Sequence, residues 1–433
     1  MKSYQVIKGG VTSAKGFRAA GVPAEIKYKG RNDVALIVAD EPCAAAAVFT
    51  TNKVAAAPVL YDRGVLENPG SAAVGARRVT SGPYIQAILA NSGCANACTG
   101  EEGLKDAKLS ALVTAGELGI DPSLVLVAST GVIGRRLPMD RLLAGMKAAK
   151  VALGRTPAHG LAAEKAVMTT DTKPKEAAVT CMIGGKKVTI GGMSKGSGMI
   201  EPNMATMLGF ITTDAAISPR LLKRALQLAI GKSFNRLVVD GDESTNDSVF
   251  LLASGKAGNK KIVGVGSGRE VGVGSGSGTK EFNVFVEALT AVCASLAKQM
   301  ATDGEGATKF VTVTVKGARS EKEAERAARA VAKSPLSKTS WFGRDPNWGR
   351  VLAAVGYSGA EVVDMKAEVY YDKVWAFRFG KIADEKQLEK LAKVMKKDAF
   401  TVTVDLHLGA AEASIYTCDF SLDYVHINAD YTT

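Results

Sequence analysis

Aromatic residues make up only 6% of this 433-residue chain, and no basic cluster is longer than a pair such as Arg77-Arg78, Arg135-Arg136 or Lys396-Lys397. Base-stacking platforms backed by runs of positive charge are missing, which argues against nucleic acid as a partner despite a formal charge of +12. No stretch approaches eighteen uninterrupted apolar residues, and the opening MKSYQVIKGGVTSAKGF has no apolar h-region or Arg/Ser-rich presequence. Neither a membrane nor secretion is expected. The cysteines at 43, 94, 98, 181, 293 and 418 lack paired-pair zinc spacing, and only Cys94 and Cys98 are close. Reduced structural thiols in a cytoplasmic protein, with no metal, are the expectation. Phosphate loops are absent as well. No G-x-G-x-x-G appears in 256–282, and Gly231-Lys232-Ser233 lacks the upstream glycine of a Walker loop. Histidine occurs three times, at 159, 407 and 426, which leaves little material for a Ser-His-Asp arrangement.

What is present is ordinary globular composition, 46% hydrophobic and 23% charged, in a chain long enough for two or three packed units or one large α/β assembly. Residues 34–60 alternate β-branched and small residues (VALIVAD, AAAAVFTTN, VAAAPVLYDR), a pattern that predicts buried strands under helices. Apolar spacing predicts helices over 101–119, 137–154, 218–234, 288–304, 320–335 and 384–398. Period-two alternation predicts strands over 311–317, 367–380 and 400–409. The run 256–282, rich in Gly and Ser, reads as a long surface loop.

The least ordinary sequence is GGMSKGSGMIEPNMATMLGFITTDAAI, 191–217. It is small and flexible up to Glu201-Pro202-Asn203, then apolar from Met207 to Ile211, as a loop entering a buried strand. A hydroxyl at that boundary, near Ala205 and Thr206, can attack the carbonyl before it and convert a peptide bond into an ester that water opens. The freed α-amino group titrates at about 7.7–8.0, close enough to neutrality to serve as base to its own hydroxyl. The residues alone also leave open the plain reading of a threonine at a strand start.

The segments STGVIG (129–134), TTDT (169–172), KGSGMIEPNMATML (195–208), DGDESTNDS (240–248), DGEGATK (303–309) and NADYTT (428–433) occur in one order. With GGVTSAKGFRAAG near the start, they make the chain resemble the ornithine acetyltransferase family of arginine biosynthesis, glutamate N-acetyltransferases, over essentially its whole length. The resemblance implies a four-layer αββα sandwich of the self-processing N-terminal-nucleophile type with a smaller C-terminal portion. It implies cleavage between Ala205 and Thr206 into an α chain, 1–205, and a β chain, 206–433, folded jointly and assembled as an (αβ)2 heterotetramer.

Thr206 is then the nucleophile that carries acetyl from N-α-acetylornithine to L-glutamate in ping-pong fashion. Thr130 and Gly131 are the oxyanion donors, and Thr172, Lys195, Thr206, Glu305, Asn428 and Thr433 line the amino-acid pocket. Lys195 suits a carboxylate and Glu305 an ammonium group. No cofactor is implied, while acetyl-CoA is a possible second donor. Residues 240–248, 341–350 (WFGRDPNWGR) and 91–100 (NSGCANACTG) are family segments without an assigned step, read as scaffolding. The 256–282 stretch is longer than usual for the family. The rival readings are an N-terminal-nucleophile amidohydrolase or aminopeptidase of related fold, and a non-catalytic scaffold.

Overall fold

In the computed structural model the described residues are 2–68, 72–74, 77–79, 82–201, 207–263 and 279–430. Ala205, Thr206 and Thr433 lie outside them, as does 264–278 of the stretch expected as a loop.

The chain begins with β1 (Tyr4–Ile7), β2 (Phe17–Val22), β3 (Val34–Phe49), α1 (Ala57–Glu67), the short pair β4 (Ala72–Val74) and β5 (Arg77–Val79), and β6 (Tyr84–Asn91). Then come α2 (Gly100–Leu118), β7 (Val125–Ser129), α3 (Met139–Val151), α4 (Pro157–Val167), β8 (Glu176–Ile183) and β9 (Lys186–Lys195). Beyond residue 206 follow β10 (Leu208–Thr213), α5 (Pro219–Gly231), β11 (Ser248–Ala253) and α6 (Lys280–Thr302).

One nine-stranded sheet, ordered β1-β8-β9-β10-β11-β3-β6-β7 with β2 beside β3, contains every strand named so far except β4 and β5. Its key is β3, whose sixteen residues serve two layers. The first part pairs with β2 and β6, and the last part, Ala44–Phe49, pairs with β11. Between them stand Glu41 and Pro42, where the register against β6 shifts. Proline has no N–H for the ladder, so the strand turns there. Because side chains alternate along a strand, Ala35, Ile37, Ala39, Cys43 and Ala45 all face one inner core, which they share with Leu208, Phe210, Phe250, Leu126 and Ala128. The other parity faces outward twice. Val34, Leu36 and Val38 pack on α2 and α3, whereas Ala44, Ala46 and Val48 pack on α5 and α6. The result is helices, sheet layer, sheet layer, helices, the expected αββα order, made by a single sheet doubled over.

The second, smaller portion runs β12 (Phe310–Ala318), α7 (Glu321–Lys333), α8 (Pro335–Phe342), α9 (Trp348–Gly356), β13 (Glu368–Tyr371) and β14 (Val374–Arg378). It closes with β15 (Lys381–Ile382), α10 (Glu385–Met395), β16 (Ala399–Asp405), β17 (Ala411–Cys418) and α11 (Leu422–Asp430). A six-stranded sheet, β15-β14-β13-β16-β12-β17, shares a core with α7 to α10. Helix α7 illustrates why: Ser320 caps the Glu323 N–H, and Ala324, Ala327, Ala328 and Val331 form one buried stripe. Cys418 at the end of β17 belongs to the core of the first portion, and Val238 N–H bonds Tyr416 O at 2.8 Å, so the two portions share a seam.

Two expectations change. Residues 54–63, expected as part of a strand, are helical from Ala57; Pro58 occupies the first turn, where its missing N–H costs nothing. Helix α6 starts at Lys280, inside the expected loop, with Thr279 accepting from Phe282 N–H. Of the described residues, α6 alone is long and apolar enough to cross a membrane, yet Phe285, Leu289, Val292, Leu296 and Met300 on it are fully buried in the core.

Candidate functional site

The two sheet layers end in facing rows. In one, Val34, Asn91 and Ser129 are register partners across β3, β6 and β7. In the other, Lys195, Leu208, Ser248 and Phe49 are partners across β9, β10, β11 and β3. A cavity of about 110 Å³ opens over these rows. Thr130 and Gly131 enter it from the end of β7, Lys195 from the end of β9, and Met207 and Leu208 from the start of β10. Ser244 to Asp247 precede β11, Glu305 follows α6, and Asn428 comes from α11.

The Thr130–Gly131 turn is braced by Asn91. Its main-chain O accepts Thr130 N–H at 3.0 Å, and its Oδ1 accepts the Ser129 hydroxyl at 2.7 Å. Val132 N–H goes to Gly93 O, and among the described residues no acceptor is bonded to the Gly131 N–H between them. Gly131 has φ of +127°, and a Cβ there would lie 2.5 Å from the Gly93 carbonyl carbon, so only glycine fits. A free N–H beside a threonine hydroxyl can stabilise an oxyanion.

Lys195 is 8% exposed, and no ion pair engages its ammonium among the described residues. Its supports lie behind it. Asp171 accepts from Gly196 N–H at 2.7 Å and from Thr169 N–H at 3.0 Å, and it pairs with buried Lys175 at 2.7 Å. Burial pushes the Asp171 carboxyl up, but the charges of Lys195 and Lys175 and the hydrogen bonds outweigh it and bring it down to about 2. Lys175 also pairs with Asp303 at 2.6 Å. Burial pulls the Lys175 ammonium down, and the two carboxylates more than reverse that. Glu305, 9% exposed, accepts Asn428 Nδ2–H at 2.9 Å and lies against Gly198, where a Cβ would be 2.3 Å from Glu305 Oε2.

The structure therefore brings Thr130, Gly131, Lys195, Glu305 and Asn428 to one cavity. Thr172 is not on its wall. It lies on a neighbouring cavity, with its N–H at 3.0 Å from Asp303 Oδ2 and its hydroxyl bonded to Asp303 Oδ1.

Residues that sequence reasoning passed over are Asn246 and Asp247, in a segment already read as cleft scaffolding. Both are buried on the cavity wall. Burial raises the Asp247 carboxyl well above its ordinary range, against the hydrogen bond from Ser244 and the Lys195 charge, and among the described residues its Oδ2 has no hydrogen-bond partner. Asp240, another member, accepts the N–H groups of Met199 at 2.6 Å and Ile200 at 2.8 Å and so holds the cavity's 198–201 rim. Of the 91–100 segment, Ala95 lines the cavity and Asn91 braces the turn. None of 341–350 lines it; Trp341 sits in the core of the smaller portion. All six cysteines are unpaired, and only Cys98 is exposed.

A model of the ArgJ family matches residues 18–433. The arginine biosynthesis bifunctional protein ArgJ of Symbiobacterium thermophilum is 49% identical over 430 residues, 99% of each chain. The glutamate N-acetyltransferase of Methanocaldococcus jannaschii is 44% identical over 441 residues, 99% of this chain and 100% of that one. Among solved structures, the ornithine acetyltransferase of Mycobacterium tuberculosis complexed with ornithine is 40% identical and covers 47% of this chain and 100% of that chain, with a TM-score of 0.41.

Proposed function

This chain belongs to the ArgJ family and is an acyltransferase, and from that premise we propose that it moves acetyl from N-α-acetylornithine to L-glutamate through an ester on Thr206. The observation that carries the reading is the convergence of Thr130, Gly131, Lys195, Glu305 and Asn428 on one cavity. Met207, the next residue after Thr206 in the chain, stands on its wall. The precursor cleaves itself between Ala205 and Thr206, and its parts, 1–205 and 206–433, stay together as (αβ)2. Strands β9 and β10 lie on opposite sides of that bond yet pair along their length, which is how the halves would hold after cleavage.

In the first half-reaction the Thr206 hydroxyl attacks the acetyl carbonyl while the Thr206 α-amine takes its proton. The Gly131 N–H and Thr130 hydroxyl meet the charge on the carbonyl oxygen. The C–N bond breaks, the proton passes to the leaving amine of ornithine, and acetyl remains on Thr206. The glutamate α-amine then attacks the ester and restores the hydroxyl. Lys195 and Glu305 stand on the pocket wall together, a pairing of cation and carboxylate suited to the α-amino-acid portion that ornithine and glutamate share. Their side chains, of opposite charge, gain no common partner there. The chemistry asks for no cofactor, acetyl-CoA enters as an alternative donor, and the free thiols suit a cytoplasmic protein.

The purified protein should be supplied with labelled glutamate and either acetylornithine or acetyl-CoA, while the Ala205–Thr206 bond and Thr206 acetylation are followed by mass spectrometry. Glutamate-dependent transfer, a broken bond and an acetyl adduct on Thr206 are expected. Release of acetate with no acetylglutamate, or transfer by an uncut chain, would overturn the proposal.

A further inference from the structure

One carboxamide on the cavity wall has all its donors committed to the opposite sheet layer. Asn246, 6% exposed, donates from Nδ2 to Ala95 O at 2.6 Å and to Ser129 O at 2.8 Å. Its Oδ1 accepts the Thr245 hydroxyl at 2.7 Å, which fixes which way the amide faces. Both recipient carbonyls belong to the frame of the Thr130–Gly131 turn. Ser129 precedes it directly, and Ala95 N–H bonds Val132 O at 2.9 Å just beyond it. Asn246 is also anchored at its own end, where Ser248 Oγ donates to Asn246 O at 3.0 Å and Ser248 N–H donates to Met207 O at 2.8 Å. A short, buried chain of hydrogen bonds thus runs from the start of β10 to the turn at the end of β7.

We propose that Asn246 is a positioning residue for acyl transfer, a cross-brace that sets the distance and orientation between the strand start following Thr206 and the Thr130–Gly131 turn. The inference rests on the proposed roles of those residues and adds one whose amide acts through the turn. The physical demand is for two N–H donors spreading from one nitrogen onto two carbonyl oxygens. Only a primary amide of this length supplies them; a carboxylate of the same shape would set negative oxygens against carbonyl oxygens. A turn left unbraced by a fraction of an ångström loses transition-state stabilisation without losing ground-state binding.

The test uses the full-length processed enzyme carrying Asn246→Ala, Thr130→Ala, or both, with rates normalised to the cleaved fraction measured by mass. Each single variant should lower kcat for acetyl transfer about 100-fold with KM for acetylornithine within about threefold. The double variant should fall far less than the product of the two, because Asn246 acts through the turn. If Asn246→Ala does not accumulate as folded protein, Asn246→Ser, which keeps one donor, is measured in its place. Unchanged kcat at position 246, an effect mainly on KM, or losses that simply multiply would overturn the cross-brace. Unchanged kcat in Thr130→Ala would instead overturn the oxyanion role on which it rests.

Discussion

Lys175→Met isolates the buried charges behind the cavity. The ammonium lies 2.7 Å from Asp171 and 2.6 Å from Asp303, and the three side chains are 1%, 0% and 4% exposed. Methionine keeps most of the aliphatic stem and leaves two buried carboxylates without their shared cation. Removing one partner of a buried ion pair costs about 3–5 kcal/mol, and this site loses one partner of two pairs, so a loss of at least that size is expected at pH 7. The sign of the pH dependence is diagnostic. In the parent, Asp171 titrates at about 2, below its ordinary 3.8, so its contribution of about 2 kcal/mol is present above the unfolded value and disappears as pH falls through the folded one. In the variant its carboxyl rises, and protonation relieves the carboxylate pair. The stability gap between the proteins should therefore narrow between pH 7 and pH 4. Guanidinium unfolding followed by circular dichroism at several pH values reads both quantities. A variant within about 1 kcal/mol of the parent at pH 7, or a gap that widens on acidification, would refute the reasoning.

Thr206→Ala should yield an uncut chain of 433 residues with no acetyl transfer, read on a denaturing gel and by activity. Gly131→Ala should lower kcat by about 100-fold or more, because the new Cβ has no room at the Gly93 backbone and φ is +127°; a variant of parental kcat would show that the turn does not contact the reacting group. Lys195→Met should raise KM for both amino-acid substrates by about tenfold with a smaller change in kcat, since the lost cation acts on a group present in both; selective loss for one substrate would count against it. Asp240→Asn, which exchanges a carboxylate acceptor for a weaker neutral one under the Met199 and Ile200 N–H groups, should slow processing of the precursor, visible as a persistent uncut band in a time course.

Much was legible in the chain itself. Alternation in VALIVAD, the alanine stripe of α7 and the strand reading of FTVTVDLHLG are local patterns, and each element formed within a few residues of its expected place. The glycine of STG, the lysine of KGSG and the glutamate of DGEG are singled out by the family segments they sit in, and all three lie on the wall of one cavity. Small-residue runs were less decisive. VAAAPVLYDR suits a strand or a helix by composition, and packing of Ala57, Pro58 and Val59 into the interior decided for the helix.

By themselves, residue types, their spacing and the order of the family segments mark out the groups that the proposed acyl transfer draws on. Only tertiary structure decided that Thr172 turns to Asp303, that Lys175 reaches Asp303 across 128 positions, and that Asn246 reaches Ser129 across 117. Periodicities of 2 and 3.6 report which face of an element is buried, not which other element it will meet. That meeting follows from one sheet doubling over at Pro42, an event that brings the ends of strands far apart in the chain to the two sides of a single cavity.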